Sequence, residues 1–379
     1  MDAQGEALAL AKALIACRSL TPDDDGCLDR LAARLAAAGF TCERIDRGGV
    51  KNLWARHGTA APLVCLAGHV DVVPPGPVER WQSDPFAPSE RDGYLYGRGA
   101  ADMKTSVAAM VVAAERVAGA APAHRGSVAL LFTSDEEGDG VDGTRAVVQA
   151  LAARGETIDA CLVGEPVSRT RFGDTVKVGR RGSLTGTLRV EGVQCHIAYP
   201  ERGRNPIHAA LPALSELAAA RWDEGTDRFP PTGFQISNIH AGTGATNVIP
   251  GALEVCFNLR FSPALTVDAI EGRIREVLGR HGLEYELTWA PVAEPFATGQ
   301  GPLVATLSRH VQDVLGVTPE PSTSGGTSDG RFLAPVSREI VEFGPLAEGM
   351  HGIDERVRVA DIGLLTTIYE RTVTSLLTG

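Results

Sequence analysis

A chain of 379 residues is long enough to bury more than one hydrophobic core. Its 44% hydrophobic and 22% charged residues are those of an ordinary soluble globular protein. A formal net charge of -11 at pH 7 argues against nucleic acid or anionic membrane as partners, but not against anionic small molecules, which respond to local fields.

In chain order, Leu28, Leu31 and Leu35 share one helical face, and Gly39 supplies a stop. Short apolar runs at 63–67, 128–132, 160–163 and 339–343 read as buried strands, separated by helical patterns such as Val107, Met110, Val111 and Ala114. Strands alternating with helices predict an α/β fold with a mostly parallel, helix-covered sheet. The texture changes near Gly179. From Gly182 to Val190 the alternation is nearly strict, with Leu184, Leu188 and Val190 on one face, as in a strand buried on one side. A helix through Ile207, Leu211 and Leu214 follows, then strands at 234–240 and 253–260. A helix through Ile270, Ile274, Val277 and Leu278 and a last strand at 284–290 complete the series. That order predicts a ferredoxin-like α+β domain over 180–292, inserted into a sheet domain made of 1–179 and 293–379.

The run ending at Phe132 leads into Asp135, Glu136 and Glu137. Three adjacent carboxylates repel one another, so they either fan out into water or converge on something positive. Other apolar runs also end in metal-capable side chains: His69 and Asp71 after the first, Glu165 after "ACLVG". Asp102 lies in "YGRGAADMK" and His351 in "EFGPLAEGMHGIDE". Any one of these alone is more often a structural histidine or a solvated turn. Together they point to one edge of an α/β sheet, where ligands gather at the carboxyl ends of strands. Two histidines and several carboxylates without thiolate suit zinc or a similar divalent ion, and Asp102 could bridge a pair. One carboxylate of the acidic triplet can stay off the metal and serve as general base. Cys195 beside His196 makes a poor nucleophile pair, since sequence neighbours seldom face each other.

With "GHVDVVPPG", "YGRGAADMK", "TSDEEG", "LVGEP", "GRRGSLTG", "NVIP" and "SGGTSDGRF" distributed over nearly its whole length, the chain resembles the two-zinc aminoacylase and carboxypeptidase family. That resemblance implies one zinc on His69, Asp102 and Glu165 and another on Asp102, Glu137 and His351, with cobalt able to substitute. It implies that Asp71 orients His69, that Glu136 is the general base, and that the Asp102–Met103 peptide is cis. It further implies that the inserted domain is a dimerisation and lid domain of a homodimer, with His196 reaching the partner's active site. Substrate contacts would come from Arg180, Ser183, Asn247, Arg260, Gly326 and Thr327. The implied reaction is zinc-dependent hydrolysis of the amide bond of N-succinyl-LL-2,6-diaminopimelate in lysine biosynthesis. Deacylation of acetylornithine or another N-acyl amino acid is the alternative, and a non-catalytic binding protein a further one. Thr105, Cys195 and Ala347 stand where the family usually carries Gly, Gly and Asn.

The amino terminus, with Asp2 and Glu6 and no basic stretch before an apolar one, does not read as a signal peptide. The seven cysteines are odd in number, scattered, and never spaced as C-x-x-C. A reducing cytoplasm is the expected compartment.

Overall fold

The computed structural model describes residues 2–120 and 125–378. Among them the chain forms two compact units. One comprises Met1–Gly179, Ala297–Ser322 and Ser328–Gly379; the other comprises Arg180–Phe296 and Thr323–Thr327.

The first unit is built on an eight-stranded sheet. Four neighbouring strands form its parallel centre, in the spatial order Ser127–Thr133, Leu63–His69, Ile158–Val163, Ser337–Glu342. Leu63–His69 and Ser127–Thr133, buried on both faces, read as apolar runs in the sequence, whereas Ser337–Glu342 is buried only from Ile340 onward. The whole sheet is mixed rather than mostly parallel. Thr41–Arg44 and Asn52–His57 run antiparallel because residues 45–51, all that join them, are too few for a crossover. Asn52–His57 then pairs antiparallel with Ser127–Thr133. The helix Thr105–Gly119 is buried on nearly every side, which matches its apolar sequence. Helices Ala3–Ile15 and Val359–Thr378 share its core through Leu10, Leu14, Ile362, Leu365 and Val373.

The second unit carries a four-stranded antiparallel sheet in the order Gly233–Ala241, Ala252–Phe261, Gly182–Glu191, Tyr285–Trp289. Leu184, Leu188 and Val190 face its core, while the residues between them stay partly exposed. Ala210, Leu214 and Leu217 of the helix Pro206–Ala219 and Ile270, Ile274 and Leu278 of Val267–Arg280 close that core. Both helices start on side-chain caps. Asn205 accepts from Ile207 N at 3.0 Å with Pro206 in the first turn, and Thr266 accepts from Ala269 N at 3.2 Å.

All seven cysteines are free thiols. Among the described residues no helix is long and apolar enough to cross a membrane.

Candidate metal centre

The parallel centre of the first unit's sheet decides where the acidic and imidazole groups go. His69 ends its strand in register with Thr133, after which the next strand releases Glu136 and Glu137. Val163 lies opposite Ala67, so Glu165 emerges two residues past its strand on the other flank of His69. The fourth strand ends at Glu342 beside Val163 and leads into the loop bearing His351. Parallel strands put all these exits on the same edge. Asp102 arrives on a kinked turn ahead of the Thr105–Gly119 helix, and the Asp102–Met103 peptide is cis. Gly68 and Gly164 make room for this turn: a Cβ at either would run into the Met103 side chain. Thr105 ties this turn to the helix start, its hydroxyl donating to Ala100 O at 2.6 Å.

The side chains converge. His69 Nε2 lies 3.0 Å from Asp102 Oδ1, and His351 Nε2 lies 3.2 Å from Asp102 Oδ2 and 2.9 Å from Glu137 Oε1. Three groups each bring one ligand atom per residue within 4.8 Å of the others: His69, Asp102 and Glu165; Asp102, Glu137 and His351; His69, Glu136 and Glu137. Asp102 belongs to two of them. The role of Asp71 is broader than orienting one histidine. Its main-chain oxygen accepts from His69 Nδ1 at 2.9 Å, with Oδ1 3.5 Å from the same nitrogen. Its carboxylate also accepts from Glu137 N at 3.1 Å and Glu136 N at 3.4 Å, so it holds the acidic turn against the histidine strand.

Burial pulls the His69 imidazole down, but Asp102 and Asp71 outweigh it and hold the ring well above its ordinary pKa. Burial pushes Asp102 up, and the two histidines overcome this and keep its carboxyl well below the usual range. His351 is raised to about 10 by Asp102 and Glu137, against its partial burial. Protons on imidazole nitrogens stand here where cations would, and a divalent ion supplies that positive charge more fully. The oxygen and nitrogen donors, without thiolate, fit zinc-like ions. Glu136 keeps some contact with solvent, yet desolvation, followed by the Glu165 charge, pushes its carboxyl well above the ordinary range. A carboxylate so perturbed is a better proton acceptor than an ordinary one.

The model of "Peptidase family M20/M25/M40" matches residues 65–375. The chain belongs to that peptidase family. Within reach of the M20 assignment, a protein of Azoarcus sp. (strain BH72) named succinyl-diaminopimelate desuccinylase is 58% identical over 372 residues, covering 98% of each chain. Among solved structures, the M20 family metallo-carboxypeptidase Sso-CP2 from Sulfolobus solfataricus superposes with a TM-score of 0.82 at 16% identity, over 99% of both chains. Bacillus subtilis YXEP, described as a dinuclear metal binding peptidase of the M20 family, superposes with a TM-score of 0.75 at 16% identity, over 99% of this chain and 98% of that one.

In this M20 chain the remaining candidate residues lie in the second unit, in two clusters. Ser183 sits opposite Arg260 across two strands, and its hydroxyl accepts from Asn258 Nδ2 at 2.9 Å. Arg180 Nη1 donates to Gly326 O at 3.3 Å, in the short segment that ends at Thr327. His196 and Asn247 form the other cluster: His196 pairs with Val248, and Asn247 O accepts from Ile197 N at 2.9 Å. The Cys195 thiol donates to Tyr199 O at 3.5 Å instead of facing His196. One carboxyl near the metal centre was not among the sequence candidates. Asp329, 4% exposed, is raised to about 6 by burial despite the pull of Thr144, and its charge pushes Glu136 further up. Its signal was present in "SGGTSDGRF", where an acid sits among small residues leading into a buried turn.

Proposed function

We propose that this M20 hydrolase is a two-zinc amidohydrolase that cleaves N-succinyl-LL-2,6-diaminopimelate to succinate and LL-2,6-diaminopimelate in lysine biosynthesis. The observation that carries the reading is Asp102, whose Oδ1 lies 3.0 Å from His69 Nε2 and whose Oδ2 lies 3.2 Å from His351 Nε2, one oxygen toward each ligand group. The choice of substrate is supported by 58% identity, spanning both units, to a protein named for that reaction.

His69, Asp102 and Glu165 would hold one zinc and Asp102, Glu137 and His351 the other; cobalt can substitute. Bound there, the ions supply Lewis-acid polarisation of the amide carbonyl and a water of lowered pKa. The chain's own residues do the rest. Asp71 fixes the His69 ring through Nδ1 and so directs Nε2 inward. Glu136 takes the proton of the attacking water and returns it to the departing amine. His196 donates to the oxyanion of the tetrahedral intermediate. Arg180 and Arg260 offer planar guanidinium groups for the substrate carboxylates, with Ser183, Asn247, Gly326 and Thr327 supplying further hydrogen bonds. A non-catalytic binding protein is the weaker reading, because the five ligands and Glu136 are all intact.

Acetylornithine lacks the distal carboxylate of the succinyl group. A site built to pair that carboxylate is expected to favour the succinyl substrate in kcat/KM by roughly 10^4. Parallel turnover of both by the zinc-loaded protein measures this, and preference for acetylornithine would assign the chain to the alternative deacylase.

Residues 180–292 are read as the inserted ferredoxin-like domain that makes the homodimer and acts as its lid. Arg260 and Ser183 lie at one end of the second unit's sheet; His196 and Asn247 lie beyond the other, where Glu191 pairs with Ala252. The strand Ala252–Phe261 separates them by roughly 25 Å at the usual rise per residue, more than one short diacid amide spans. One cluster therefore serves a second copy. Mixing His196→Ala with Glu136→Ala, each inactive alone, is expected to restore a measurable part of wild-type turnover. A mixture as dead as its components would remove His196 from any role across subunits. The free, scattered thiols suit the cytoplasm as the compartment.

A further inference from the structure

Glu355 and Arg98 form an ion pair in which each side chain is only 1% exposed. Neither belongs to any of the three ligand groups. Burying two charges costs about as much as their attraction returns, so such a pair is weak evidence for stability and asks what else it does. Its hydrogen bonds answer. Glu355 Oε1 accepts from Ala101 N at 2.8 Å and from Asp102 N at 3.0 Å; Oε2 accepts from Gly99 N at 3.1 Å and from Arg98 Nη1. One carboxylate thus gathers three main-chain amides of the segment that delivers Asp102, including that of Asp102 itself. Arg98 Nη2 meanwhile donates to His351 O at 3.2 Å and reaches Pro74 O at 3.4 Å, just past the segment of Asp71. The pair is the joint between the two chain segments that carry Asp102 and His351.

We propose that Glu355, locked by Arg98, is a positioning residue that sets the spacing of Asp102 and His351 and thereby the affinity of the metal site they share with Glu137. The inference rests on the two-metal reading above and adds residues to it. His351 depends on the joint most. It sits in a loop, at φ 59°, with its side chain 46% exposed, and Arg98 holds its main chain. The site of His69 and Glu165 depends on it less, because it meets the joint only through Asp102: His69 ends a central strand and Glu165 follows another by two residues. Because the two charges cancel, the joint adds rigidity without reducing the negative field that attracts cations.

Glu355→Gln keeps the volume but places an amide donor where Arg98 and Gly99 N already donate. Arg98→Met with Glu355→Gln removes both charges and leaves no orphan ion, so a folded variant is available if the single one fails. Cobalt-loaded full-length protein, equilibrated against graded chelator and followed by metal analysis and d–d absorption, gives two binding steps. His351→Ala identifies the step that belongs to its site. Both Glu355 variants are expected to weaken that step by about 10- to 100-fold, with a changed absorption band, while the other step shifts by less than about threefold. Breaking the Arg34–Glu115 pair, bidentate at 2.7 Å on both arms and on other helices, with Glu115→Ala should lower Tm and leave both steps unchanged. Folded Glu355 variants that hold both ions as the wild type does overturn the proposal. So does weakening of both steps in proportion to lost stability. A wild-type chain that binds no pair of ions overturns the two-metal reading as well, and the two failures are distinguishable.

Discussion

Glu136→Ala is expected to lower kcat by roughly 10^2- to 10^4-fold while the protein keeps its full metal content. The reasoning starts from position. Glu136 shares a turn with Glu137, and Asp71 receives the amides of both, yet only Glu137 lies with Asp102 and His351. Glu136 is left facing the same pocket with a carboxyl that desolvation and Glu165 hold well above the ordinary range. Such a group is a stronger base than an ordinary carboxylate. Losing it should reduce kcat and kcat/KM together, because the interaction is made in the transition state. Glu136 also occurs in a ligand group with His69 and Glu137, and metal analysis distinguishes the two roles. A variant that loses turnover in parallel with bound zinc would make Glu136 a ligand, and near-normal turnover would leave it without a role.

Asp102→Ala is expected to abolish both sites at once: bound zinc should fall from two per chain to less than one, and turnover to background. Glu165→Ala, which touches one ligand group, should remove one ion only. The difference follows from sharing. A single-site ligand leaves three or more donors for the remaining ion, whereas the shared carboxylate is common to both groups. Without it, His69 and His351 also lose the partner that raises both of them, and their imidazoles should titrate at lower pH. Metal analysis of the purified variants and an NMR titration of the histidines measure both effects. A variant that still carries two ions would mean that Asp102 bridges nothing.

Of the central strands, Leu63–His69 and Ser127–Thr133 were legible because burial on both faces leaves almost no polar positions, while Ile158–Val163 and Ser337–Glu342 showed an apolar run only in their buried second halves. The strands Thr41–Arg44 and Asn52–His57 carry Glu43, Arg44 and Arg56 and gave no such run, which is why the sheet read as more parallel than it is. The candidate donors stood out for a chemical reason: few arrangements other than a cation justify Glu136 and Glu137 at a strand end with His69 and Glu165 at others. Glu355 and Arg98 did not. In sequence they are a charged pair 257 residues apart, and nothing local distinguishes a buried ion pair from a surface one.

The sequence by itself determined the strands that end in metal-capable side chains and the chemistry such side chains favour. Those are properties of neighbouring residues: periodicity, burial pattern and donor type. Only the tertiary structure decided which candidate donors lie close together, that Asp71 holds both His69 and the acidic turn, and that Arg260 lies at one end of a sheet while His196 lies beyond the other. Distances between remote segments come from strand register and packing, which no local pattern encodes.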